Sequence, residues 1–218
     1  MIFKDREDAG RQLVKLLADY RHMPAVVLAL PRGGVPVAKE ISESLKLPLD
    51  IVLVRKIGHP FNPEYAIGAI AENGQAVWND TEIQEIDSRQ LNKKIQIEKL
   101  EIRRRAKLYR GGRPLINLKD KITILVDDGL ATGLTMLAAI KAVKSQKPQE
   151  IIVAVAVAPK EVVDEINQMV DEFVALNIPE VFQGAVGSYY QSFPQLTDGE
   201  VIKLLKDEKH LRRLSYQY

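Results

Sequence analysis

Short apolar runs rich in β-branched residues alternate with helix-periodic segments along most of the chain, and this alternation restricts the fold more than any other feature. The runs Ala25 to Leu30, Leu49 to Val54, Ile122 to Val126 and Ile151 to Val157 carry few polar residues. Strands look like this when helices cover both faces of a parallel sheet. Val35 to Leu45, Leu134 to Val143 and Val163 to Val170 repeat apolar residues at helical spacing, and a fifth strand is predicted at Glu172 to Leu176. The pattern predicts an α/β fold with a parallel central sheet flanked by helices. At 218 residues the chain can bury one substantial core, so a single domain over 1–218 is expected.

Local signals fill in the rest. Asp5 is a plausible cap for a leading helix whose apolar face holds Ala9, Leu13, Leu16 and Leu17, and that helix reads as structural. Ala66 to Ala71 and Gln75 to Trp78 flank Glu72-Asn73-Gly74, where Asn-Gly predicts a hairpin and hence a small antiparallel flap. Thr81 to Gln84 and Thr197 to Glu200 fit capping boxes, so helices are expected to start at both. One long helix is predicted from Asp87 to about Tyr109, stopped by Gly111-Gly112-Arg113-Pro114. The flap and long helix then occupy about 60–115, and a C-terminal hood about 177–218.

Several classes of chemistry are excluded or disfavoured. The chain has no cysteine, which removes disulfides, thiol nucleophiles and thiolate metal sites, and His22, His59 and His210 are too scattered for a zinc cluster. The segment Met1 to Asp8 is charged where a signal peptide needs an apolar run, and nothing approaches the roughly 18 apolar residues of a membrane span. A cytoplasmic protein with no membrane partner is expected. Nine Lys or Arg between Lys93 and Arg113 read as a solvated helix face or a nucleic-acid groove; without interleaved aromatics, a nucleic-acid partner is not expected.

The chemistry concentrates where strands end. Asp127-Asp128 stand at the end of the third run, the edge at which open α/β sheets bind ligands. The small-residue loop Gly129 to Gly133 then leads into a helix start, presenting backbone N–H groups and a helix dipole suited to phosphate, with Thr132 and Thr135 adding hydroxyl donors. Paired carboxylates suit a vicinal diol, because they only accept hydrogen bonds and a ribose offers two O–H donors. Ribose 5-phosphate fits both halves.

Ile124 to Met136 resembles the thirteen-residue PRPP-binding motif of type I phosphoribosyltransferases, PRPP being 5-phosphoribosyl-1-pyrophosphate. The resemblance implies that Asp127 and Asp128 hold the ribose hydroxyls and that Ala131, Thr132, Gly133, Leu134 and Thr135 hold the 5-phosphate. Pro31-Arg32-Gly33-Gly34 resembles the family's pyrophosphate loop, often with unusual peptide geometry beside the arginine. Arg55 and Lys56 are further candidates for the diphosphate, and strand alternation points one of the two inward. Arg32, Arg55 and Lys56 are thus the expected catalytic cations, and Mg2+ is expected beside PRPP, with Asp127 and Asp128 helping to hold it directly or through water. Arg110 and Arg113 fall where the family carries a mobile loop. His59 has a side chain able to do acid–base work, although a lone loop histidine is more often a surface residue.

The acceptor is less legible. Tyr189, Tyr190 and Phe193 form an aromatic cluster that reads equally as a surface for a planar acceptor or as hood packing. Overall the chain is similar to a bacterial group of predicted phosphoribosyltransferases without a settled acceptor, and the resemblance also implies a homodimer. Hypoxanthine-type enzymes place an acid where this chain has Ala131, which argues against that assignment. The expected function is transfer of ribose 5-phosphate from PRPP to an unidentified nucleophile, a nucleobase being one option. The alternatives are a non-catalytic PRPP- or nucleotide-binding regulator that contacts RNA or a partner, and a hydrolase acting on the same ligand.

Overall fold

The computed structural model describes residues 1–83 and 86–206; Gln84, His210 and the hood beyond residue 206 lie outside the described residues. The chain opens with Arg6–Leu16 (α1), capped where the Asp5 carboxylate accepts from Asp8 N at 2.7 Å. Then come Ala25–Ala29 (β1), Gly34–Leu45 (α2) and Leu49–Ile51 (β2). An antiparallel flap follows, made of Val54–His59 (β3), Asn62–Ala71 (β4) and Ala76–Trp78 (β5). Asp80–Ile83 (α3) and the long Ser88–Arg110 (α4) lead to Ile122–Asp127 (β6), Leu134–Lys144 (α5), Glu150–Val157 (β7), Lys160–Asn167 (α6), Glu172–Asn177 (β8) and Asp198–Leu205 (α7).

The main sheet is parallel throughout, in the order β2-β1-β6-β7-β8. Its strands are apolar on both sides because both sides are covered. Val27, Ile124, Ile152 and Ala154 pack with Leu13, Val37, Ile41 and Leu45 of α1 and α2, whereas Val26, Leu28, Leu125 and Val153 pack with Leu137, Ile140, Val163 and Ile166 of α5 and α6. The flap lies between α4 and α5: Ile57, Ile67 and Ile70 join Ile102 and Tyr109 in one cluster, and Val54 and Val77 turn to the other. The Asn73 side chain fastens the β4–β5 turn to α5 by donating to Ala142 O at 3.3 Å and to Ser145 Oγ at 3.1 Å.

Four expectations change. The run Leu49 to Val54 is not one strand: β2 stops at Ile51 and Val54 begins the flap, because Leu53 N bonds the Glu72 carboxylate and Glu72 N bonds Leu53 O, tying the chain to β4. The flap therefore has three strands, and its first, with Arg, Lys, Gly and His among six residues, gave no apolar pattern to read. The helix expected from Thr81 starts one residue earlier, with Asn79 O accepting from Glu82 N and Ile83 N. The helix expected over Val163 to Val170 is drawn forward to Lys160–Asn167, since Pro159 O accepts the first N–H groups. The capping box at Thr197 and Glu200 is present, and the long helix starts at its Asp87 cap and ends at left-handed Gly111.

Candidate active site

Loops at the carboxyl ends of β1 and β6 meet over the sheet and enclose a cavity of about 360 Å³. That size suits a small organic ligand of several rings or phosphates. Parallel pairing of β1 with β6 brings the loops together, and Leu30 N extends the register by donating to Val126 O at 2.9 Å. Glycine permits the contact: a Cβ on Gly34 would stand 2.5 Å from Val126 O, and one on Gly33 would stand 2.0 Å from Asp128 Oδ2. The Pro31–Arg32 peptide bond is cis.

Pro31, Arg32, Gly33, Lys56, Asp127, Asp128, Ala131, Thr132, Gly133, Thr135 and Phe193, all singled out from sequence, line this cavity. Gly34 backs it through its packing on β6, and Leu134 begins the helix behind it. The turn from β6 into α5 is set by Gly133, whose φ of 71° is left-handed and whose missing side chain leaves room for Val162. The backbone N–H groups of Ala131, Thr132 and Gly133 have no protein acceptor among the described residues. Together with the start of α5 they form a cradle for an anion.

Asp127 ends β6 and its carboxylate accepts from Asp128 N at 2.9 Å. Withdrawal from water pushes its carboxyl well above the usual range, and the charge of neighbouring Asp128 adds to the rise. Asp128 is raised by the same withdrawal, against which the Arg6 guanidinium acts. Two acids held side by side with little solvent are poised to receive hydroxyl donors or a cation. Lys56 is the cation from β3 that faces this pair, and its charge opposes the rise at Asp127.

Other expected residues stand elsewhere. Arg55 points the opposite way from Lys56, as alternation along β3 requires, and its Nε lies 2.7 Å from Glu98 on α4. Arg110 is buried at the end of α4 and ion-paired with Glu72 of the flap, and Arg113 is half-buried on the side of Asp50; neither lines the cavity. Tyr189 and Tyr190 are also buried: Tyr189 OH accepts from Gln183 N, Tyr190 OH donates to Asp128 O at 2.6 Å, and the Tyr190 ring packs on Phe3. These two tyrosines are hood packing. His59 is turned back on its own loop, with Nδ1 accepting from Phe61 N at 3.2 Å.

Sequence reasoning missed the amino-terminal wall. Phe3 pairs with Tyr190 as a short parallel bridge, Phe3 N donating to Tyr189 O and Gln191 N to Phe3 O, both at 2.8 Å. This places Arg6, the first residue of α1, inside the site: its Nε lies 2.7 Å from Asp128 Oδ2, Nη1 donates to Pro194 O at 2.9 Å, and the guanidinium lies 3.8 Å over the Phe193 ring. Helical spacing puts Arg6 on the same face of α1 as the buried Ala9 and Gly10, but that spacing does not say what the guanidinium meets. Val186, Gln195 and Leu196 complete the hood wall. Asp198, at the start of α7, ties hood to loop: it accepts from Tyr109 OH, pairs with Arg104 at 2.8 Å and stands 3.8 Å from Arg32. The Tyr109 hydrogen bond and the Arg104 charge hold its carboxyl below the usual range, while Tyr109 is pushed up to about 12, first by burial and then by that bond.

A parallel sheet with a flap, an acidic strand end and a loop of unbonded N–H groups at the next helix define a class, and residues 4–191 match the phosphoribosyl transferase domain: the chain belongs to that family, with a type I fold. A Mycobacterium tuberculosis protein provisionally named a phosphoribosyl transferase is 42% identical over 96% of this chain, which spans 47% of that relative. The crystal structure of TT1426 from Thermus thermophilus is also 42% identical, covers 94% of this chain and 98% of its own, and superposes with a TM-score of 0.78. Among the described residues no helix is long and apolar enough to cross a membrane.

Proposed function

We propose that this protein transfers the 5-phosphoribosyl group of PRPP to an acceptor nucleophile and releases diphosphate. The supporting observation is that one cavity holds the Asp127–Asp128 pair, the unbonded N–H groups of the loop into α5, and Arg32 and Lys56 on the facing wall. Asp127 and Asp128 accept from the ribose hydroxyls. Residues Ala131 to Thr135 take the 5-phosphate through backbone N–H groups and two threonine hydroxyls. Arg32 and Lys56 draw the diphosphate and stabilise the charge that grows on it as the bond to C1 breaks. The electron pair of that C1–O bond stays with the diphosphate, a lone pair of the acceptor closes on C1, and the acceptor gives up one proton.

Mg2+ fits this donor set. The carboxylates are hard oxygen donors, but Asp128 Oδ2 already receives Arg6, and no group of three or more acidic or histidine side chains is placed to hold an ion among the described residues. The protein thus offers one or two oxygens, which matches an ion that keeps waters and takes its remaining ligands from phosphates. Bound there with PRPP, Mg2+ would neutralise charge on the diphosphate.

Calorimetric titration with PRPP, with and without Mg2+ and with ribose 5-phosphate and ATP for comparison, tests the site. PRPP is expected to bind more tightly with Mg2+ and more tightly than ATP, and Asp128→Asn is expected to weaken it about tenfold or more, the loss of one charged hydrogen bond. Unchanged affinity in that variant would remove the ribose assignment. PRPP binding without diphosphate release in an acceptor screen would instead favour a regulator that keeps the site but does not turn over.

A further inference from the structure

The strongest unassigned group in the cavity is the Arg6 guanidinium. It is 7% exposed, yet only two of its five N–H donors have protein acceptors among the described residues, Asp128 and Pro194 O. Nη2 keeps contact with solvent, and Arg6 lines the cavity, so the free donors are open to a ligand there. A guanidinium anchored through Nε and Nη1, with its remaining donors open into a cavity, is set to receive an oxygen acceptor there. The other cavity cations, Arg32 and Lys56, come from the β1 loop and the flap, whereas Arg6 shares its wall with Phe193, Gln195 and Leu196. One face of the Phe193 ring is already covered by the guanidinium, so the aromatic surface that an acceptor ring would meet is reduced there and a charged fork takes its place.

We propose that this wall receives an acceptor bearing a carboxylate or ring carbonyl oxygen, and that Arg6 is the residue that selects it. The inference rests on the phosphoribosyl reading of the cavity. In it Asp128 orients the guanidinium through Nε, and the Nη groups carry the recognition. A planar fork of donors matches oxygen acceptors, and it repels or leaves unpaired an edge that offers amino hydrogens. An acceptor with an amine edge is therefore disfavoured.

The test uses nucleoside 5′-monophosphates, which share the ribose 5-phosphate half and differ at the ring. Affinities of the full chain for ribose 5-phosphate, orotidine 5′-monophosphate, xanthosine 5′-monophosphate and AMP are measured by calorimetry, in the wild type and in Arg6→Lys. The oxo- and carboxylate-bearing nucleotides are expected to bind at least about tenfold more tightly than AMP, the gain from one added charge-assisted hydrogen bond. In Arg6→Lys, which keeps the charge beside Asp128 and loses the fork, that ratio is expected to fall below about threefold. No preference over AMP in the wild type, or an unchanged ratio in Arg6→Lys even with all affinities lowered together, would overturn the proposal. Failure of ribose 5-phosphate itself to bind the wild type would overturn the phosphoribosyl reading on which it stands.

Discussion

At Gly33 the β1 loop lies tight against the end of β6, because the Asp128 carboxylate occupies the space in which a side chain would begin. A methyl group there must push that carboxylate off Arg6 or push the loop off β6. Gly33→Ala is therefore expected to weaken PRPP binding at least about tenfold while costing stability about 1–3 kcal/mol, as overpacking does. Calorimetry and urea melts separate the two effects. Resemblance singled out this glycine pair as part of a pyrophosphate loop; that the pair lies against Val126 and the two aspartates is seen only in the structure. The sequence alone could not supply Arg6, because an arginine at the edge of a helix looks the same whether it meets solvent or a carboxylate 122 residues away.

At the scale of elements, the basic end of α4 is a structural joint. Arg110 is buried with its guanidinium on Glu72 and with Nε and Nη1 lacking partners among the described residues, while Glu72 also accepts from Leu53 N at 3.2 Å. This pair joins α4, the flap and the end of β2. Removing the carboxylate would leave the buried Arg110 without its ion-pair partner, with only the more distant Asp50 carboxyl acting on its charge. Glu72→Ala is expected to destabilise by about 3 kcal/mol, as breaking a buried pair does. For a chain of this size that lowers Tm by roughly 6–12 °C, read by scanning calorimetry. A shift under about 2 °C would mean that water already compensates Arg110. From sequence, this segment resembled a loop free to close over diphosphate. Tyr109 and Arg110 are instead packed inside, since Tyr109 meets Asp198 and Arg110 meets Glu72, partners brought near only by folding.

Over the whole molecule, β1, β6 and β7 are flanked by strands on both sides and by helices on both faces, whereas β3–β5 form a separate sheet held to the rest mainly through side chains of α4 and α5. Hydrogen exchange is expected to follow that division, with β1, β6 and β7 slowest and β5 and the β3–β4 turn at least about a hundredfold faster, because local opening there breaks fewer contacts. Equal protection would mean that flap and sheet open as one unit. Most of the main sheet and its helices, the β4–β5 hairpin and the small-residue loop after β6 were legible in the sequence alone, because each rests on local periodicity, turn chemistry or a compact motif. The split of Leu49 to Val54 between two sheets, the inward turn of Lys56 rather than Arg55, the burial of Tyr189 and Tyr190, and the entry of Arg6 into the cavity were decided only by tertiary structure. Each depends on which distant group occupies the space or supplies the opposite charge, and no local pattern carries that information.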